Sequence, residues 1–66
     1  DQVFINSKNV IRQLEVYDES GRLIWQDEDL GQNTQRLDIQ LWRNGVYVVR
    51  VTDQENQVET SRFVKQ

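Results

Sequence analysis

The chain has 66 residues, room for one domain at most, and a domain of this size buries only about 60% of its unfolded surface. It contains no Cys and no His, so neither a disulfide nor a Cys–His zinc site can staple it. Eleven acids interspersed with eight bases give a net charge of −3; this lacks the basic stripe that nucleic-acid binding requires.

Taken in order, the segments read as strands and turns. Residues 2–6 are a short β-prone run ending in the polar stretch Asn6, Ser7, Lys8, Asn9. Residues 12–17 alternate, with Leu14 and Val16 on one face and Gln13, Glu15 and Tyr17 on the other. Asp18-Glu19-Ser20-Gly21 is a turn signal: Asp suits the first position of a type I turn, and Gly21 supplies the left-handed residue after it. Residues 22–27 return as a strand, with Leu23 and Trp25 expected on one face and Ile24 on the other. The acidic, amide-rich segment 27–35 reads as a surface loop.

Residues 36–41 show the cleanest alternation, which assigns Leu37, Ile39 and Leu41 to one face. Trp42-Arg43-Asn44-Gly45 interrupts it, and residues 46–52, rich in β-branched and aromatic side chains, form the strongest strand. Asp53-Gln54-Glu55-Asn56 repeats the earlier turn with Asn in place of Gly, since Asn also tolerates the left-handed conformation. The final strand covers 57–64, with Val58, Thr60, Arg62 and Val64 on one face and Glu59, Ser61 and Phe63 on the other. Hairpins over 12–27 and 46–64 follow. The expected fold is all-β, a small antiparallel immunoglobulin-like β-sandwich of about six to seven strands. A single six-stranded sheet would leave Val46 and Val48 bare on one face, so two packed layers are preferred.

The chemistry of catalysis is thin. No His stands ready to activate Ser7, Ser20 or Ser61, and Lys8 and Lys65 lie in polar surroundings near the two ends. Asp27, Glu28 and Asp29 are the one acidic cluster, but they lack the alternating ligands and distant Glu of a calcium loop. No catalytic residue, metal site or cofactor is expected, and the chain is read as not an enzyme. The longest unbroken apolar stretch, residues 46–49, falls far short of the ~20 residues of a bilayer-spanning helix. No signal-peptide pattern opens the chain. Trp25 and Tyr47 are expected in the core, in phase with apolar neighbours, while Trp42 either caps an open end of the sandwich or stands exposed for a partner.

Leu14-Glu15-Val16-Tyr17-Asp18-Glu19-Ser20-Gly21-Arg22-Leu23-Ile24, then Gly45-Val46-Tyr47-Val48-Val49-Arg50-Val51, then the closing Phe63-Val64-Lys65-Gln66 resemble, in this order, the motifs of the C-terminal sorting domains of the type IX secretion system. The matching residues Tyr17, Asp18, Gly21, Arg22, Gly45 and Tyr47 are read as mainly structural. The likeness covers residues 12–66. Two departures stand out: the chain has no Pro, whereas family members usually open on a Pro-Asn-Pro segment and a first strand, and Asn44 occupies a position where Pro is frequent.

The resemblance implies a module at the end of a larger exported protein. The parent would pass through the periplasm, be recognised by the outer-membrane translocon, and reach the outer membrane, cell surface or medium. In many members a sortase-like surface peptidase cuts just before the module. Val46, Val48, Val64, Lys65 and Gln66 are the expected recognition residues, because the terminal strand offers an edge for strand addition and burial gives no reason for Lys65 or Gln66. If an opening strand is missing, the bare edge invites self-association by strand pairing, or exchange of residues 2–6 between copies. Two other readings remain: a surface adhesion or carbohydrate-binding module displaying Trp25, Trp42 and Tyr47, and a structural spacer.

Overall fold

The computed structural model describes residues 1–28 and 30–66. Six strands are present among them: β1 (Gln2–Asn6), β2 (Ile11–Asp18), β3 (Leu23–Glu28), β4 (Thr34–Asp38), β5 (Gly45–Asp53) and β6 (Val58–Lys65). They form two antiparallel sheets, a small one of β1 and β4 and a larger one in the order β3-β2-β5-β6. The architecture is all-β and consistent with an immunoglobulin-like sandwich. Both expected hairpins occur, β2–β3 and β5–β6.

The apolar face of each sheet explains why the two close on each other. Ile5 and Leu37 from the small sheet, with Ile39 just past β4, meet Ile11, Leu14, Val16, Tyr47, Val49 and Val51 from the large one. Ile11, Leu14 and Val16 are completely buried, and each such side chain contributes roughly 1.5–3 kcal/mol by leaving water. Residues 2–6 pair along their whole length with β4, from Gln2 opposite Asp38 to Asn6 opposite Thr34.

Two bulges modify the simple alternation. Between Ile11 and Gln13 the β2–β5 register shifts by one, so Ile11 joins the buried face of Leu14 and Val16 although its spacing from Leu14 is odd. Across β2, Val16 faces Trp25 and Tyr17 faces Leu23, which leaves Ile24 as the extra residue. Leu23 and Trp25 therefore do not share a face as the sequence pattern suggests. Leu23 is exposed, whereas Ile24 and Trp25 both pack on the core.

Three boundaries also move. The acidic loop is shorter than 27–35, because Asp27 and Glu28 continue β3 and Thr34 and Gln35 begin β4. Asp29 lies outside the described residues. At the other end β4 stops at Asp38, whose carboxylate accepts the Gln40 amide at 3.1 Å, while the Trp42 amide donates to the Ile39 carbonyl at 3.0 Å. That turn ends the alternation after Ile39, so Leu41, expected on the face of Leu37 and Ile39, does not share their burial and is 95% exposed.

Candidate functional site

The three motif segments converge on one end of the sandwich, where Asp18 lies opposite Tyr47 and Gly45 opposite Lys65. The β2–β3 turn is built by Asp18, whose Oδ1 accepts the backbone amides of Ser20 and Arg22, both at 3.0 Å, and the Ser20 hydroxyl at 2.7 Å. Gly21 takes the left-handed conformation, φ 88°, and its amide donates to the Asp18 carbonyl, as the type I reading requires. The Arg22 Nε lies 3.3 Å from Asp18 Oδ2. The Ser20 hydroxyl first, and then the Arg22 amide, hold the Asp18 carboxyl below the ordinary aspartate value.

Facing this turn is the β4–β5 connection. The Tyr47 hydroxyl donates to the Arg43 carbonyl at 2.6 Å, four residues upstream, as in the tyrosine corner of immunoglobulin-like sandwiches. Gly45 enters β5 at φ 149°, and a Cβ there would lie 3.3 Å from the Glu19 carboxylate reaching over from the opposite turn. Trp42 rests half-buried on Tyr47, their ring centroids 5.2 Å apart, and Tyr47 stacks on Phe63 at 5.3 Å. Trp42 therefore closes the end of the sandwich. Trp25, Trp42 and Tyr47 all pack against or within the core, so they do not form the exposed ligand platform that a carbohydrate-binding reading needs.

Lys65 has a structural explanation that the sequence did not reveal. Its Nζ donates to the carbonyls of Gln40, at 2.8 Å, and Trp42, at 2.7 Å, so the last residue of β6 clasps the β4–β5 connection. No spacing rule links Lys65 to Gln40 or Trp42; only the β5–β6 pairing, with Gly45 opposite Lys65, brings them together. Gln66 lies beyond the strand and is exposed.

Between the two turns is a groove of about 450 Å³. Its apolar lining includes Ile24, Leu41, Trp42 and Val46, and Arg22 and Arg43 supply its positive charge. Val46 also belongs to the face of the large sheet that points away from the core. There it pairs with Val64, and Val48 sits between Tyr17 and Arg62. Val46 and Val48 are half-buried, Val64 is 59% exposed and Leu23 42%. The groove and the outer-face valines thus form one apolar surface joined at Val46, with Leu41 at its rim. Sequence reasoning missed Leu41 as a surface residue; the signal was Asp38, two residues before Gln40 and placed to cap a turn. On the same outer face the Tyr17 hydroxyl is held above its ordinary value, first by hydrogen bonding to Glu15 and then by burial.

Among the described residues no group of three or more His, Cys, Asp or Glu is placed to hold a metal ion, and no helix is long and apolar enough to cross a membrane. The fold and site define a small antiparallel β-sandwich with an apolar end and outer face. The chain belongs to the secretion system C-terminal sorting domain family, whose model matches residues 1–66, and this family is the sorting signal of type IX secretion. It is not an enzyme family, and its signal implies export to the outer membrane or cell surface. No curated protein and no solved structure matched the chain.

Proposed function

We propose that residues 1–66 act as one non-catalytic C-terminal module that presents a folded surface to the outer-membrane translocon after its parent has entered the periplasm. The recognition surface runs from the groove rim at Leu41 through Val46 to Val48 and Val64. The observation that carries this reading is the 95% exposure of Leu41 on a turn fixed from several sides, by Asp38, Tyr47 and Lys65. A large apolar side chain held rigidly in water has little to gain from folding and much to gain from a partner. Lys65 acts in this scheme by holding the turn, and Gln66 stands exposed beside it. A sortase-like surface peptidase cutting just before the module then decides whether it is retained.

The test fuses residues 1–66 to a folded passenger with an N-terminal export signal, in a host that has type IX secretion. The passenger is expected at the cell surface, and Leu41→Asp and Val64→Asp should trap it in the periplasm. Phe4→Asp, on the small sheet and 66% exposed in the native chain, should leave export intact. Normal export of both Leu41→Asp and Val64→Asp would refute the assigned surface. Substitution is a sharper probe than removal of residues 62–66, because that truncation also removes the Lys65 clasp and half of β6.

A further inference from the structure

The large sheet has two open edges, and they are not alike. The β3 edge carries the consecutive acids Asp27 and Glu28 and a bulge at Ile24, both of which discourage strand addition. The β6 edge is eight residues long, has no Pro and no bulge against β5, and pairs residue for residue from Val58 to Lys65. Its two largest exposed apolar side chains, Val58 at 48% and Val64 at 59%, stand six positions apart on the outer face.

We propose that β6 pairs with β6 of a second copy of this chain, antiparallel about a two-fold axis at Ser61, to give one continuous eight-stranded sheet. The register follows from the residues. In an antiparallel pair with the two-fold axis perpendicular to the sheet, residues opposite each other share a face, so their numbers must sum to an even value. A sum of 122 puts Val58 of one copy opposite Val64 of the other, twice across the axis. It also sets Thr60 against Arg62, Glu59 against Phe63 and Ser61 against itself. No like charges are directly opposed in this arrangement. A sum of 124 would place Arg62 on Arg62, and a sum of 120 would set Val58 against Arg62 and leave Val64 facing Asn56 in the turn.

A second feature favours the same edge. A cleft of about 200 Å³ opens between β1 and β6, lined on one side by Val3, Phe4 and Ile5 and on the other by Ser61, Arg62 and Phe63. Phe4, 66% exposed, lies on this flank, beside the edge that a second copy would cover. The inference stands apart from the secretion reading, although the paired form would cover Val64.

The chain has no Cys, so single-Cys variants report the register directly. Ser61→Cys should form a disulfide-linked dimer under mild oxidation, since directly opposed Cα atoms lie about 4.5–5.5 Å apart, within disulfide reach. Thr60→Cys should cross-link with Arg62→Cys when the two are mixed, in preference to either with itself. Sedimentation equilibrium of the unmodified chain should show a concentration-dependent dimer. Val58→Glu alone or Val64→Lys alone should weaken it about tenfold or more, each change acting twice across the axis. The double variant, which places Glu opposite Lys, should recover association. A chain that stays monomeric at high concentration, a dimer indifferent to both single substitutions, or cross-linking that prefers Thr60→Cys with itself would overturn the proposal.

Discussion

The β2–β3 and β5–β6 turns follow one five-residue plan in different surroundings. In each, an Asp amide donates to the carbonyl four residues on, and the amide three residues on donates back to the Asp carbonyl. Each Asp Oδ1 accepts two further backbone amides, Ser20 and Arg22 in one turn and Glu55 and Gln57 in the other. Each turn closes with a left-handed residue, Gly21 at φ 88° and Asn56 at φ 63°. Their neighbours differ. Asp53 is 4% exposed, receives the Asn9 side-chain amide at 3.0 Å, and its turn is tied to the β1–β2 connection by the Gln54 amide on the Val10 carbonyl. The Asp18 turn is stabilised mainly from within and borders the groove. One end of the sandwich is stapled, and the other keeps a surface free.

The largest expected effect comes from removing each Asp. Asp53→Ala leaves Asn9, Glu55 and Gln57 without their shared acceptor in a buried place, and Tm should fall on the order of 10 °C or more. Asp18→Ala exposes its orphaned donors to water, which replaces much of what is lost, so the drop should be clearly smaller. Equal losses in thermal melts of the two variants would mean that the Asn9 and Val10 contacts contribute nothing and that the ends are equivalent.

A change at Gly21 should rank next. A Cβ at Gly21, where φ is 88°, meets no atom within 4 Å, so the cost of Gly21→Val comes mainly from backbone strain, roughly 1 kcal/mol and more for a β-branched residue. Denaturant unfolding of Gly21→Val with an unchanged midpoint would contradict the type I plus left-handed assignment.

Acid sharpens the comparison. The Asn9 side chain first, then the Gln57 amide, hold the Asp53 carboxyl below its ordinary value, as the Ser20 hydroxyl and Arg22 amide do for Asp18. A carboxylate whose folded value is depressed stabilises the fold above the unfolded value of about 3.9, and that stability is lost as pH falls through the folded value. Melting curves between pH 6 and pH 2 should therefore decline on the acid side, and the Asp18→Asn, Asp53→Asn double variant should decline less. An equally steep acid limb in that variant would locate the proton uptake elsewhere.

Both turns were legible in the sequence because their chemistry is local: an Asp, two residues, then Gly or Asn. Leu14, Val16, Leu37, Val49 and Val51 were legible because strand alternation is also local. Ile11, Leu23 and Leu41 were not, because a bulge or an early turn reverses the face that parity assigns, and bulges depend on the partner strand. The contacts of Lys65 were illegible for a related reason. Its two carbonyl partners lie 25 and 23 residues away and become neighbours only once β5 and β6 pair. The apolar surface at the groove was half visible: Val46 and Val48 followed from alternation, but alternation also puts Leu41 on the face of Leu37 and Ile39.

The smallest expected effect isolates the cause of the difference between the ends. Asn tolerates the left-handed conformation better than most residues, but still less freely than glycine, so Asn56→Gly relieves some strain. Glycine also gains freedom in the unfolded chain, which offsets part of that relief. The net change should be a stabilisation of a few tenths of a kcal/mol, read from a small upward shift of the denaturation midpoint. The variant makes the two turns alike at their left-handed position. If Asp53→Ala still costs more than Asp18→Ala in that background, the excess belongs to the Asn9 and Val10 contacts and to burial, and not to the turn residue. If the excess disappears, the identity of residue 56 set it, and the stapled end owes its strength to the turn itself.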